Sequence, residues 1–312
     1  HNASHLRDGE LGPAAIAIGN FDGVHLAHRV ICRQLVEKAE ELGVLPMVYT
    51  FQPHPRKVLQ GPQAVCVLTT FEKKCTLLAE LGVKVVVWSE FTREFSEQSP
   101  SEFISRILVD KLRARHLFVG HDAHFARDRS GDFNTLAETG ERQGFGVSRT
   151  EAVMHDGLIV SSSQVRKFIE SGEIRRANEF LGWQFSIPGT VVRGDQRGRT
   201  IGFPTANLQT EVEVFPARGV YATCVKFQGR TLCGITNVGK NPTFNPEIDT
   251  VPLRIETNLF DFSGDLYGEH IEVVFLDRIR PEMRFESADQ LKTQIEQDIH
   301  AARKIHEMEA RA

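Results

Sequence analysis

The most informative residues near the start of the chain form a glycine-bounded loop followed by two histidines. The apolar run 14–18 predicts a strand before this loop, and apolar residues at helical spacing predict a helix after it. Helix N-termini offer amide groups to anions, and histidines three residues apart at such a start can face the same anion. The pattern predicts a polyphosphate site, with capping or surface packing as the alternative for the histidines. Its members are Gly19, Asn20, Phe21, Asp22, Gly23, His25 and His28.

A run of hydroxyl-bearing residues at the start of another predicted helix makes a second candidate anion site. Ser161, Ser162 and Ser163 lie at the helix start, and Arg166 follows one turn later. Hydroxyl groups, backbone amides and a guanidinium group together suit a phosphate. The alternative is that the serines only cap the helix or end the preceding strand.

A third candidate site lies past the middle of the chain, in the segment 202–207 that begins with Gly202. The side-chain oxygens of Thr205 and Asn207 fall on the same side of an extended segment. Neutral oxygens of this kind can bind Mg²⁺ while phosphate groups complete its shell. The alternative is a polar turn, since Thr and Asn after a proline are ordinary turn formers.

The composition limits the kind of protein. The hydrophobic fraction of 41% is ordinary for a globular protein, and no apolar run approaches the ~18 residues of a membrane span. A formal net charge of -4 disfavours a nucleic-acid partner, so small phosphorylated ligands fit better. The five cysteines are odd in number and lack C-x-x-C spacing, which argues against a disulfide framework and a structural zinc. We therefore expect a cytoplasmic protein without membrane association; the oligomeric state is left open.

The first half of the chain alternates predicted strands and helices. This pattern is typical of a parallel sheet covered by helices on both faces, and ligands of such sheets bind beyond the carboxyl ends of the strands. The loops 19–28, 51–55 and 120–132 fall at such ends. His54, between two prolines in the second loop, is a further candidate, with ordering of its own turn as the alternative. The predicted strands are 14–18, 45–51, 83–88 and 117–119, and the predicted helices include 70–81 and 99–111.

The second half reads as short strands joined by tight turns, with a helix at the end. This pattern predicts a small antiparallel barrel covered by the helix. The change of periodicity near Trp183 predicts two domains, 14–183 and 184–312. The predicted strands are 189–193, 219–227, 230–238, 253–259 and 271–278, and the predicted helix is 287–308 with Ala288, Leu291, Ile295, Ile299 and Ala302 on one face.

These motifs, in this order, resemble those of the bacterial bifunctional riboflavin kinase/FAD synthetases over almost the whole chain after Pro13. The resemblance implies a Rossmann-like α/β nucleotidyltransferase domain followed by a small antiparallel β-barrel flavokinase domain with a C-terminal helix. The stretches that carry it are 19–28, 51–55, 120–132 and 161–166 in the first half and 198–207, 219–222, 237–244 and 265–268 in the second.

For the first domain, the resemblance implies transfer of the adenylyl group of ATP to the phosphate of FMN, which gives FAD and pyrophosphate. The attacking phosphate is already an anion, so catalysis reduces to alignment and charge neutralisation. By the resemblance, His25, His28 and Arg166 bind triphosphate with Asn20 and Asp122 at the same site, and flavin contacts fall on His54, Phe125 and, in the second domain, Asn241.

For the second domain, the resemblance implies transfer of the γ-phosphoryl group of ATP to the terminal ribityl hydroxyl of riboflavin. Glu256 matches the general base of the family, and Thr205 and Asn207 match its Mg²⁺ ligands. A carboxylate suits an alcohol nucleophile because it can orient the hydroxyl and accept its proton. The alternative for Glu256 is an exposed strand charge. The expected partners are riboflavin, FMN and ATP.

Three alanines depart from the family pattern. Ala27 and Ala126 stand where glycine is usual, and Ala123 stands where an aromatic residue is usual. A methyl group at residue 27 could crowd a bound adenine, and the missing aromatic ring could loosen flavin stacking. The alternatives to a two-step enzyme are therefore a riboflavin kinase with a weakened or inactive FAD synthetase domain, and a flavin-responsive binding protein without turnover.

Overall fold

The computed structural model describes residues 1–194, 202–239 and 253–310. The chain divides into two compact units, His1–Ser162 and Ser163–Ala312. The boundary predicted near Trp183 falls inside the second of these units, and it stays a prediction about the limits of the functional domains.

The first unit is built on a parallel sheet, as its alternating sequence pattern predicts. The strand order is β3-β2-β1-β4-β5, so β1 lies in the middle with β2 and β4 as its neighbours. Because all five strands run in the same direction, their carboxyl ends meet at one edge of the sheet. The strands are β1 (Ala14–Ile18), β2 (Leu45–Gln52), β3 (Val85–Glu90), β4 (Ala114–Gly120) and β5 (Gly146–Thr150).

Helices follow the strands of the first unit. The long helix after β1 ends at Gly43, whose φ of 63° is left-handed, as the sequence predicts for this cap. The predicted helix 99–111 is confirmed, although most of it is a π-helix, Phe103–Lys111. The helices are α1 (Leu26–Leu42), α2 (Pro55–Gln60), α3 (Phe71–Glu80), α4 (Arg93–Ser96), α5 (Pro100–Glu102) and α6 (Phe133–Gln143), and a hairpin of β6 (Met154–His155) and β7 (Leu158–Ile159) follows.

The second unit begins with helices and continues as a closed antiparallel barrel. Its strands are ordered β10-β11-β12-β9-β8-β13, and β13 pairs back with β10. The predicted barrel is thereby confirmed. Its elements are α7 (Ser162–Ser171), α8 (Ile174–Leu181), β8 (Ser186–Val192), β9 (Ala206–Gln209), β10 (Gly219–Phe227), β11 (Arg230–Gly239), β12 (Arg254–Leu259), β13 (His270–Pro281) and α9 (Ala288–Glu309).

Helix α9 covers one outer face of the barrel. Ser287 caps its start by accepting a hydrogen bond from the Gln290 amide, and Ile295, Ile299 and Ala302 pack against the face of β10 and β11. The predicted apolar face is therefore confirmed from Ile295 onward. Ala288, predicted on the same face, is exposed, because it lies in the first turn, before the packed stretch begins.

Candidate active sites

The glycine-bounded loop occupies the carboxyl end of the central strand β1 and leads into α1. Three of its residues have a positive φ, which gives the loop a tight path: 49° at Phe21, 82° at Gly23 and 40° at Val24. Phe21 and Val24 are almost completely buried, and this packing holds their unusual backbone in place. His25 stands at the N-cap of α1, which places the start of the helix, where backbone amides can donate to an anion, directly after the loop.

The loop is anchored through its own polar groups. The carbonyl oxygen of Asn20 accepts hydrogen bonds from Lys74 Nζ at 2.8 Å and from Thr50 Oγ1 at 3.2 Å. The Asp22 carboxylate accepts one from the Leu68 amide at 2.8 Å, and Asp22 is buried. The sequence singled out Asp22 as a phosphate-site residue, and the structure shows that its carboxylate braces the loop from within.

The serine run meets the loop through one of its members. Ser162 Oγ donates a hydrogen bond to the carbonyl oxygen of Asp22 at 2.9 Å. Ser161 lies just before α7 and is half-buried. Ser163 and Arg166 belong to the second compact unit, where Ser163 is exposed and Arg166 is half-buried one turn into the helix. Within the first unit, the structure therefore brings one member of the serine run, Ser162, to the glycine-bounded loop.

The two histidines stack on each other. The ring centroids of His25 and His28 lie 3.7 Å apart with an interplanar angle of 17°, and the Phe21 ring lies 4.9 Å from that of His28. Burial, with the neighbouring His25 and Lys74 adding to its effect, lowers the pKa of His28 well below its usual value. His28 is therefore neutral at neutral pH and offers a ring N–H rather than a full charge.

Two buried polar atoms at this site have no hydrogen-bond partner within the part of the chain that the structure describes. They are His28 Nδ1 and Asn20 Oδ1. Buried polar groups are paired in most proteins, and unpaired ones mark places where a ligand or water binds. Both belong to the predicted polyphosphate site.

The other predicted residues of the first unit have mixed surroundings. His54 caps α2, because its Nδ1 accepts a hydrogen bond from the Arg56 amide at 3.2 Å. This contact is what the alternative interpretation of His54, that it orders its own turn, predicts. Phe125 pairs with Gly131 in a β-bridge and packs against Phe103 with 5.6 Å between ring centroids. Asp122 is exposed just beyond β4, the neighbour of β1. Asp122 therefore lies at the same sheet edge as the glycine-bounded loop.

In the barrel, the predicted base and a predicted cation ligand are direct neighbours. Glu256 on β12 is the register partner of Asn207 on β9 and of Asn237 on β11. Directly opposed residues of an antiparallel pair point to the same side of the sheet, with Cβ atoms about 5 Å apart. Glu256 therefore lies between two carboxamides in a row across three strands.

A cleft of about 570 Å³ is lined by Asn207 of this row and by Thr257, the residue after Glu256, whereas Glu256 and Asn237 are not among its lining residues. Its lining combines two stretches that lie far apart in the sequence, the segment 205–207 and the segment around Asp265. The Pro204 carbonyl accepts a hydrogen bond from Asn258 Nδ2 at 2.8 Å, which fixes the loop before Thr205. Among the lining residues are Thr205, Asn207, Thr257, Phe262, Asp265 and Tyr267.

Backbone requirements also shape the cleft. At Gly194 an added Cβ would lie 2.3 Å from Asn207 Nδ2, so only glycine leaves room for that carboxamide. Gly202 has a φ of 92°, a left-handed value that glycine adopts without strain. Asn241, predicted to contact flavin, lies outside the described residues.

Several residues that build the sites were not singled out from the sequence. Lys74 lies inside a helix beside another lysine, and only its burial distinguishes it. Asn237 and Asn258 stand on strands as ordinary polar positions, and their roles depend on register. Gly194 lies eight residues before the start of the predicted segment 202–207. A sequence signal exists only for Asn237, which opens one of the stretches that carry the resemblance.

A parallel α/β unit with a phosphate loop, followed by a closed barrel with a carboxylate beside its cleft, defines a two-part ATP-dependent transferase. The FAD synthetase family model matches residues 8–164, and the riboflavin kinase family model matches residues 181–306. This chain belongs to the family of bifunctional riboflavin kinase/FMN adenylyltransferases. It is an enzyme with both activities, as the sequence analysis predicts, and the match to both models favours this over a kinase with an inactive partner domain.

Relatives resemble the chain over nearly its whole length. The bifunctional riboflavin kinase/FMN adenylyltransferase of Haemophilus influenzae is 38% identical over 97% of this chain and 96% of its own. The bifunctional riboflavin kinase/FMN adenylyltransferase of Escherichia coli K12 is 40% identical over 93% of this chain and 92% of its own. A crystal structure from Streptococcus pneumoniae, described as a macrolide-efflux protein, has a TM-score of 0.88 and 30% identity, and covers 97% of both chains. Among the described residues, no helix has the length and apolar character to cross a membrane.

Proposed function

We propose that the barrel phosphorylates riboflavin to FMN and that the first unit then adenylylates FMN to FAD, with ATP as the co-substrate of each step. The observation that carries the proposal is the register pairing of Glu256 with Asn207, a residue that lines the cleft. A carboxylate next to a carboxamide and a hydroxyl is what transfer of a phosphoryl group to an alcohol requires. The substrates are then small molecules, and we place the protein in the cytoplasm.

For adenylyl transfer, we assign the triphosphate to the start of α1. The FMN phosphate attacks the α-phosphorus of ATP, the bond to the β-phosphate oxygen breaks, and pyrophosphate leaves. No protein nucleophile is needed, so the site has to align the groups and stabilise the developing negative charge. The first-turn amides and the stacked rings of His25 and His28 supply donors for this.

Anchoring of the loop supports this assignment. Lys74 and Thr50 hold the Asn20 carbonyl, Leu68 holds the Asp22 side chain, and Ser162 holds the Asp22 carbonyl. Donors that are fixed before the reaction lose no energy to reorganisation when charge develops. We therefore assign Asp22 and Ser162 a positioning role. Asn20, Asp122 and Ser161 complete the proposed ATP site of the first unit, and Ser163 and Arg166 are assigned to ATP binding on the strength of the resemblance alone.

For phosphoryl transfer, we assign Glu256 as general base. It accepts the proton of the terminal ribityl hydroxyl as that oxygen bonds to the γ-phosphorus and the bond to the β-phosphate oxygen breaks, leaving ADP. Asn207 and Asn237 flank the carboxylate in the same row, and their carboxamides keep it oriented. The half-buried position of Glu256 limits competing solvation.

Mg²⁺ is the expected metal of the kinase site. Thr205 and Asn207 both line the cleft, and their side-chain oxygens are the hard, neutral donors that Mg²⁺ accepts together with phosphate oxygens. The donor set therefore fits the ion. When bound, Mg²⁺ would neutralise charge on the phosphates of ATP.

Two of the proposed flavin contacts come from loops of the first unit. His54 and Phe125 already have structural contacts, with the Arg56 amide and with Phe103 and Gly131. We retain them as flavin neighbours because both lie in loops at the carboxyl edge of the parallel sheet. Asn241 is proposed to contact riboflavin on the strength of the resemblance alone.

One incubation tests both steps. The full chain is mixed with riboflavin, ATP and Mg²⁺, the products are separated by chromatography, and a parallel sample receives FMN in place of riboflavin. We expect FMN to appear first and FAD to follow, with FAD and pyrophosphate formed directly from FMN. Absence of FMN product would refute the kinase assignment. FMN without FAD at saturating substrate would support the inactive-domain alternative, and binding without either product would support a regulatory protein.

A further inference from the structure

Two cysteines and a histidine, none of which lines the cleft described above, meet on the outer face of the barrel. Cys224 on β10 and Cys233 on β11 are register partners across the hairpin. Their side chains therefore share one face of the sheet. His306 of α9 approaches the same point, with its Nδ1 3.7 Å from Cys224 Sγ.

The orientation of the histidine is fixed by a second contact. His306 Nε2 lies 3.2 Å from the carbonyl oxygen of Gly234, which can only accept a hydrogen bond. Nε2 therefore carries the proton, and the lone pair of Nδ1 faces Cys224. A histidine that binds a metal through one ring nitrogen commonly donates the other N–H to a backbone carbonyl in this way.

The spacing of the three ligand atoms suits a tetrahedral ion. All three lie within 4.8 Å of one another. With Zn–S bonds of about 2.3 Å and Zn–N bonds of about 2.0 Å, tetrahedral geometry places sulfur and nitrogen about 3.5 Å apart. The distance of 3.7 Å between Cys224 Sγ and His306 Nδ1 is close to this value.

We propose that Cys224, Cys233 and His306 form a zinc site that links helix α9 to the β10–β11 hairpin. Thiolate and imidazole ligands select Zn²⁺ over Mg²⁺, so this site is chemically distinct from the oxygen site proposed for the kinase. Cys233 is exposed, which leaves the fourth position open to water. Glu309, one turn beyond His306, interacts electrostatically with both Cys224 and His306, and its negative charge favours a cation there.

Sequence spacing could not reveal this site. The two cysteines stand on opposite strands of a hairpin, and the histidine comes from a helix near the end of the chain. The pattern C-x-x-C is therefore absent, although two of the five cysteines are neighbours in space. The inference depends on register and helix packing alone.

Cobalt is the probe for this site because it replaces zinc and reports thiolate ligation by a charge-transfer band. The reduced full chain, kept in excess Mg²⁺ to fill oxygen sites, is titrated with Co²⁺ and then with Zn²⁺. We expect the band to saturate at one equivalent and to vanish when Zn²⁺ is added. The kinase site cannot give this band, since its proposed ligands are oxygen atoms.

Variants locate the ligands. Cys224→Ser, Cys233→Ser and His306→Asn should lose or strongly weaken the band, whereas Cys66→Ser, which changes a cysteine of the first unit, should keep it. Retained kinase turnover shows that each variant barrel is folded. Zn²⁺ should also raise the melting temperature of the parent protein and leave that of Cys224→Ser unchanged.

Three results would overturn the proposal. One is the absence of a thiolate band in the reduced parent protein. Another is a band that survives in both Cys224→Ser and Cys233→Ser. The third is recovery of the two cysteines as a disulfide from protein kept under reductant, with no Co²⁺ bound, which would make them a redox pair instead.

Discussion

Asn207 and Glu256 lie directly opposite each other on strands β9 and β12, so a carboxamide and a carboxylate from distant parts of the chain share one face of the barrel. The same register places Asn237 on the other side of Glu256. A proton acceptor and a proposed Mg²⁺ ligand are thus held together by backbone pairing, which is more rigid than a loop.

Replacing the carboxylate tests the general base. Glu256→Gln keeps the size of the side chain but removes the proton acceptor, so we expect riboflavin kinase turnover to fall by about 10²- to 10⁴-fold. Adenylylation of added FMN should be unchanged. Glu272→Gln is the matched control, because Glu272 is a barrel carboxylate that accepts a hydrogen bond from Ser186. Equal kinase turnover in Glu256→Gln and the parent would contradict the assignment.

The lowered pKa of His28 predicts a pH dependence of stability. Burial keeps folded His28 neutral, while the unfolded residue takes up a proton as the pH falls through about 6.5. The unfolded state then binds more protons, so the free energy of unfolding should decrease as the pH falls below that value. Denaturant unfolding at several pH values measures this. In His28→Gln, the free energy of unfolding should decrease less as the pH falls. His300→Gln, at an exposed site on α9, is the control and should show the same decrease as the parent protein.

Lys74 is predicted to act on the adenylyl transfer through the Asn20 carbonyl. Lys74→Met removes the Nζ donor and leaves a buried carbonyl with one donor fewer, at a cost of about 1–3 kcal/mol. We expect slower formation of FAD from FMN and unchanged formation of FMN from riboflavin. Lys73→Met, at the adjacent and less buried position, is the control. A loss of both activities would instead indicate a general folding defect.

Ala126 lies in a backbone conformation that suits glycine. Its φ is 62° and its ψ is -171°, and non-glycine residues in such regions cost about 1–3 kcal/mol. Ala126→Gly should therefore raise the free energy of unfolding of the first unit. Ala137→Gly, inside helix α6, should lower it by about 1 kcal/mol. If urea unfolding gives Ala126→Gly a lower free energy of unfolding than the parent protein, the backbone at Ala126 is not strained.

A buried ion pair joins α9 to the barrel. Arg280 contacts both carboxylate oxygens of Asp298, whose side chain is only 2% exposed. Asp298→Ala leaves the guanidinium group without its partner, so we expect a loss of about 3–5 kcal/mol in the free energy of unfolding. Arg175→Ala breaks the more exposed pair with Asp277 and should cost less than about 1 kcal/mol. Calorimetry of the two variants makes the comparison.

Much of the fold follows from local patterns. The strand at Ala14–Ile18, the cap at Gly43 and the strand at Gly219–Phe227 have the predicted positions, because each is marked by apolar runs or a glycine. Strand β9 was missed. It carries Asn207 inside a segment of turn-forming residues, and its pairing with β12 and β8 overrides that local preference.

The sites are only partly readable from the sequence. Residue types and spacing indicated His25, His28, Thr205 and Asn207, since the chemistry depends on those side chains. Spacing could not show that the Asp22 carboxylate turns inward or that Lys74 is buried against Asn20. Such contacts arise when elements from separate parts of the chain pack, and one sequence contains no local signal for them.

The closure of the barrel has a further consequence. Because β13 pairs with both β8 and β10, each described strand of the ring has a neighbour on both sides. Within the described residues, none of these strands lies at an outer edge of its sheet, whereas β3 and β5 are the outer strands of the other sheet. The outer edge of β3 is partly covered, because the Trp88 amide donates a hydrogen bond to the carbonyl oxygen of His1 and the His1 amino group donates one to that of Val86. The parallel sheet thus needs added backbone to shield an outer strand, whereas closure of the ring gives each barrel strand two neighbours without such a cover.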